Sequence, residues 1–110
     1  MAYNEDVAHR VREAFANADV VPIERRMFGG VAFMVHGHMT VGIVGDDLMV
    51  RVGKEAYGDA LARPHARPMD FTGKPMTGMV YVAAEGFADA ADLRDWIQRG
   101  LAFTGSLPPK

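Results

Sequence analysis

The pattern of this 110-residue chain predicts an α+β fold: two layers, with helices mainly on one face of an antiparallel sheet. Two observations lead there. Both ends carry apolar residues at helical spacing, and the centre carries apolar residues at every second position, broken by glycine-containing turns. The expected order is α-β-β-β-α-β-β-α, with five strands. Residues 1–104 are expected to form one domain and residues 105–110 a flexible tail.

The first helix is expected over Asn4 to Ala18. Asn4 is a capping residue, because its side-chain oxygen accepts from an otherwise unpaired backbone N–H. Glu5 and Asp6 stand at the positive end of the helix dipole. Val7, Val11, Ala14, Phe15 and Ala18 make one apolar face, and Asp6–Arg10 and His9–Glu13 are four-apart pairs on the wet side.

Three strands follow between Ile23 and Val52. The first is expected to begin near Glu24 and to run through Gly29-Gly30, where two glycines inside a strand imply a bulge, a bend or a close backbone approach. Met39, Val41 and Ile43 define the second, and Leu48, Val50 and Val52 the third. A short helix is expected from Gly53 to Ala62, ended by Pro64, which disfavours helical geometry at Arg63. Strands are then expected at Arg67–Phe71 and Met79–Val82, joined by a turn at Thr72-Gly73-Lys74-Pro75. The last helix is expected at Asp89–Phe103, with Asp89 as cap, Leu93, Trp96, Ile97 and Leu101 as the buried stripe, Gly100 permitting close packing and Gly105 ending it.

Composition narrows the chemistry. The chain has no cysteine, so disulfides, thiolate metal sites and cysteine nucleophiles are excluded. Its one serine, Ser106, stands in the tail, which argues against a serine-hydrolase triad. Twelve basic residues against 14 acidic ones leave a net charge of −2, so no overall field draws the chain to nucleic acid or an anionic membrane. No apolar run approaches the roughly 20 residues needed to span a bilayer, and the start lacks a hydrophobic signal core. A cytoplasmic protein is expected.

The motifs point the same way. Met27-Phe28-Gly29-Gly30 is the most distinctive string, but strand pattern continues on both sides of it, so it lacks the helix that a phosphate-binding loop needs. The bland reading is a kinked strand; the functional one is a surface where another backbone docks. His36 and His38 are the candidate metal ligands, yet a site needs at least a third ligand, and Gly37 between them reads as a turn that splays the rings. Hairpin-tip histidines in solvent are the expectation, with no metal and no cofactor. Asp46-Asp47 reads as turn chemistry. Arg25, Arg26, Arg51 and Lys54 form one potential basic cluster; Arg63, Arg67 and Lys74 form another. Met34 and Met49 fall on the strand face opposite Phe33, Val35, Leu48 and Val50, where helices on the other side would leave them exposed as a partner or dimer surface.

The stretch from Arg25 to Val52 carries a resemblance. Arg26-Met27-Phe28-Gly29-Gly30-Val31-Ala32-Phe33-Met34, then Gly37 and Met39, then Asp47-Leu48-Met49-Val50-Arg51, resembles the N-terminal domain of the TfoX/Sxy competence-regulator family. Arg67-Pro68-Met69, Met79-Val80-Tyr81-Val82 and the closing helix with Asp92, Leu93 and Trp96 are similar to it as well. The resemblance implies a regulator linked to natural transformation and the control of competence genes. Family members commonly carry a second, helical domain, so the chain is expected to be a stand-alone version of the first.

The combined expectation is a non-enzymatic, homodimeric interaction module with a regulatory protein partner. Arg25, Arg26, Met27, Phe28, Gly29, Gly30, Met34, Met49 and Arg51 are its contact or shaping residues. Two alternatives stay open. One is direct nucleic-acid binding through the arginine clusters. The other is a small metal- or ligand-dependent enzyme built on His36, His38 or the Asp46-Asp47 turn.

Overall fold

A computed structural model describes residues 3–27, 29–70 and 75–108. Helix α1 (Glu5–Asn17) is followed by strands β1 (Ile23–Met27), β2 (Gly30–Val35), β3 (His38–Val44) and β4 (Asp47–Arg51). A short helix α2 (Tyr57–Leu61), strands β5 (Ala66–Asp70) and β6 (Pro75–Val82), a 3-10 turn (Ala84–Phe87) and helix α3 (Ala90–Thr104) complete the order. The strands form one six-stranded sheet in the order β1-β2-β3-β4-β6-β5, antiparallel throughout.

The sheet therefore has six strands where five were expected. The expected first strand is two. Met27 pairs with Gly30, so the chain reverses between them instead of bending through them. Gly29 has φ +75°, the left-handed conformation that tight hairpins require and that glycine adopts without strain. Gly30 answers a different need: a Cβ there would overlap the Ile43 carbonyl oxygen on β3. Adjacent glycines serving a turn and a close approach look the same in sequence as a strand bulge.

α1 begins as its sequence requires. The Asn4 side chain accepts from the backbone N–H of Asp6 (2.9 Å) and Val7 (3.3 Å). It also donates to Asp46 Oδ1 at 2.9 Å, tying the helix start to the β3–β4 turn. His9 and Glu13 pair at 3.0 Å, but Arg10 turns away from Asp6 to donate to the Phe87 and Ala88 carbonyls. That contact ties α1 to the segment that leads into α3, and the guanidinium also lies 5.7 Å from the centre of the Phe87 ring. Asp89 occupies the N-cap position of α3 without a side-chain capping bond, and Gly105 closes that helix at φ −67°, outside the left-handed region.

All three helices lie on one face of the sheet. Val31, Phe33, Val41, Ile43, Leu48, Val50, Val80 and Val82 project from the strands to meet Val11, Phe15, Phe87, Leu93, Trp96 and Ile97. The Phe15 and Phe33 rings stack at 5.9 Å. Gly100 lets α3 settle on β3, since a Cβ there would lie 2.9 Å from Thr40 Cγ2. Just beyond it, Thr40 and Thr104 share a buried hydroxyl–hydroxyl bond of 3.0 Å.

The opposite face departs from expectation at one methionine. Met49 is 0% exposed, packed with Met69 and Met79 and flanked by Met39, Val44 and Tyr81. Met79 of β6 and Met69 of β5 supply that cover, because β6 lies beside β4 in the sheet, a neighbour that the order of strands along the chain does not give. Met34 stays half-buried. α2 is shorter than expected and β6 starts earlier. Phe71, and the expected turn residues Thr72, Gly73 and Lys74, lie outside the described residues.

Candidate functional site

The sheet ends in an edge strand, β1, whose five residues are all exposed. Its side chains alternate. Glu24 and Arg26 stand opposite Phe33 and Val31, which point to the helices, so they share that face. Ile23, Arg25 and Met27 project from the other. Ile23 is 69% exposed, Met27 39%, and the preceding Val21 94%. Those three make an apolar strip at the rim of the sheet, around Arg25.

One contact pins the strand to the layer above. Arg12 of α1 grips the Glu24 carboxylate with two charge-assisted bonds, Nε to Oε2 at 2.6 Å and Nη2 to Oε1 at 2.8 Å. That hydrogen bonding holds the Glu24 carboxyl below the usual carboxylate range, with partial burial opposing it, and raises Arg12 in turn. Among the described residues, Arg25 and Arg26 have no carboxylate within ion-pair distance.

The other predicted site residues are dispersed. Arg51 sits on β4, three strands or about 14 Å from β1, and its guanidinium lies 5.2 Å from the centre of the Phe103 ring. The first basic cluster is therefore not assembled: Arg25 and Arg26 are neighbours on β1 but project from opposite faces, and Lys54 lies beyond β4 near Phe103. In the second, Arg67 bonds Asp47 at 2.6 Å and covers the Tyr81 ring, while Arg63 faces Asp95 at 3.7 Å. Lys74 lies outside the described residues, as does Phe28. Met49 is interior, so the expected methionine surface keeps only Met34, close to β1 through its pairing with Ile23.

The two histidines do not converge on one point. His36 occupies the β2–β3 turn with φ +53° and is exposed. His38 is only 7% exposed, with Nε2 2.6 Å from the Pro108 carbonyl oxygen. This corrects the expectation of two solvated rings: the chain beyond α3 returns to cover one of them. Among the described residues, no three His, Asp or Glu side chains gather as a metal would require.

A second feature escaped the sequence reading. A groove of about 650 Å³ runs beside Val52, Gly53, Ala56, Ala102 and Phe103, with Lys54 and Arg99 at its margin. Gly53, with φ +82°, is its one sequence signal, because a Cβ there would overlap the Phe103 ring.

The family model for the TfoX N-terminal domain matches residues 8–104. The chain belongs to that family. The match runs from within α1 to the end of α3, so both the β1 edge and the sheet behind it are part of the TfoX N-terminal domain. No curated protein and no solved structure matches the chain. Among the described residues, no helix of this domain is long and apolar enough to cross a membrane.

Proposed function

We propose that this TfoX N-terminal domain is a cytoplasmic, non-enzymatic regulatory module of the competence or transcription type, acting as a homodimer through protein contact. The observation that carries the reading is the β1 edge. It combines unpaired strand backbone, two arginines without ion-pair partners among the described residues, and exposed Val21, Ile23 and Met27. Open edges and apolar strips of this kind are the means by which sheets recruit other chains. Family membership supports the regulatory part of the reading.

Direct nucleic-acid binding has weaker support, because the arginines that would have to act together are dispersed or already engaged with Asp47, Asp95 and aromatic rings.

The test is genetic. Transcript profiles are compared in the cell of origin for the wild type, a deletion, and an Arg25→Glu plus Arg26→Glu replacement. The expected result is that deletion changes a defined set of transcripts and the replacement reproduces that change at normal protein level. Unchanged transcripts on deletion would count against a regulatory role.

A further inference from the structure

We propose that the partner taken by the β1 edge is the β1 edge of a second copy, paired antiparallel about a two-fold axis at Arg25. The inference deepens the homodimer reading above and rests on it.

Three observations carry it. The first is backbone parity. Met27 and Gly30 close the β1–β2 hairpin, and hydrogen-bonded pairs alternate from there, through Arg25–Ala32 to Ile23–Met34. The N–H and C=O groups of Glu24 and Arg26 therefore face away from β2. In a self-pair centred on Arg25, Glu24 of one copy meets Arg26 of the other, so the outward-facing groups are brought together in hydrogen-bonded pairs.

The second is charge. Self-pairing sets Glu24 against Arg26 twice, on the helix-bearing face. Each Glu24 carboxylate would then lie between its own Arg12, 2.6 Å away, and the partner copy's Arg26. The axis at Arg25 faces one pair of like charges and offsets it with two Glu24–Arg26 pairs. An axis at Glu24 or at Arg26 faces like charges with no such pair to offset them, and an axis between two residues sets outward-facing backbone groups against inward-facing ones.

The third is the apolar strip. The same centre places Ile23 opposite Met27 on the remaining face, which covers exposed side chains with each other. Pro22 has no N–H to donate, so the ladder ends there, as it must end at the hairpin turn on the other side. The paired segment is five residues per copy, far fewer than the 20–30 residues a side of a standard interface, so the association is weak and concentration-dependent. Arg25 faces its own copy across the axis, which weakens it further.

Sedimentation equilibrium of three chains tests this: wild type, Glu24→Arg and Arg26→Glu. Circular dichroism confirms that each variant is folded. Wild type is expected to dimerise at high micromolar concentration. Each variant alone is expected to be monomeric, because each sets like charges across the axis. Mixed together, the two variants are expected to form a heterodimer, since both 24–26 cross-strand pairs are then complementary. Arg25→Thr is expected to dimerise a few-fold more tightly than wild type, by removing the like-charge pair.

A wild type that remains monomeric at about 1 mM, where contacts weaker than roughly −4 kcal/mol stay dissociated, overturns both this surface and the homodimer reading. A wild-type dimer that survives both charge reversals overturns the surface alone. A mixture that stays monomeric, or an Arg25→Thr chain that binds no tighter, overturns the register.

Discussion

Gly30 holds its place against β3 because it has no side chain. A Cβ would overlap the Ile43 carbonyl oxygen, which is backbone and cannot rotate aside. Gly30→Ala should therefore destabilise the domain by about 2–3 kcal/mol, the upper range for overpacked interiors. Its neighbour behaves differently. Gly29 has open space around its Cβ position, so only its φ of +75° resists substitution, and Gly29→Ala should cost about 1 kcal/mol. Urea denaturation of the two variants separates the readings. A Gly30→Ala cost no larger than that of Gly29→Ala would show that the Ile43 carbonyl does not exclude a side chain there. These glycines also show where sequence reading stops. The string marks a backbone constraint, but a turn, a bulge and a close approach all call for glycine, and only the position of β3 distinguishes them.

At the scale of elements, α1 is defined by its ends and by what they hold. Asn4→Ala removes the cap and the bond to Asp46 and should cost about 1 kcal/mol, read as a drop in the urea midpoint. The grip of Arg12 on β1 predicts a pH signature. Glu24 has a folded pKa below its unfolded value, so the stability it contributes is present above the ordinary carboxylate pKa and is lost as pH falls through the lowered folded value. Arg12→Leu should thus be less stable than wild type near pH 7, by well under 1 kcal/mol because the pair is partly exposed. The difference should vanish in acid. A difference unchanged at low pH would assign the effect to packing instead. Both helix faces and the alternation of β2, β3 and β4 were legible in the sequence, because local periodicity reports which side of an element is dry. The Arg12–Glu24 contact was not, since it joins elements whose spacing depends on how the layers stack.

For the molecule as a whole, the methionines show how the fold uses both faces of its sheet. Met49 is fully buried on the face without helices, against Met69 and Met79. Met49→Ala should cost about 2–5 kcal/mol, as for an interior methionine, with thermal unfolding as the measure. A cost near zero would return it to the surface. Charge at this scale argues against a polyanion partner. If nucleic acid binds at all, affinity should fall steeply with salt and be lost in Arg25→Ala plus Arg26→Ala. Absence of any electrophoretic shift with DNA or RNA at low salt would close that reading.

Taken alone, the chain determined its class, its helix-bearing core face and its family, because period, capping residues and the Arg25–Val52 string are local and need no neighbour to be read. Tertiary structure decided the sixth strand, the burial of Met49 and His38, and the separation of Arg51 from Arg25 and Arg26. The physical reason is the same in each case. Exposure and proximity are set by which strand lies beside which, and that order is fixed by hydrogen bonds and packing between segments distant in sequence.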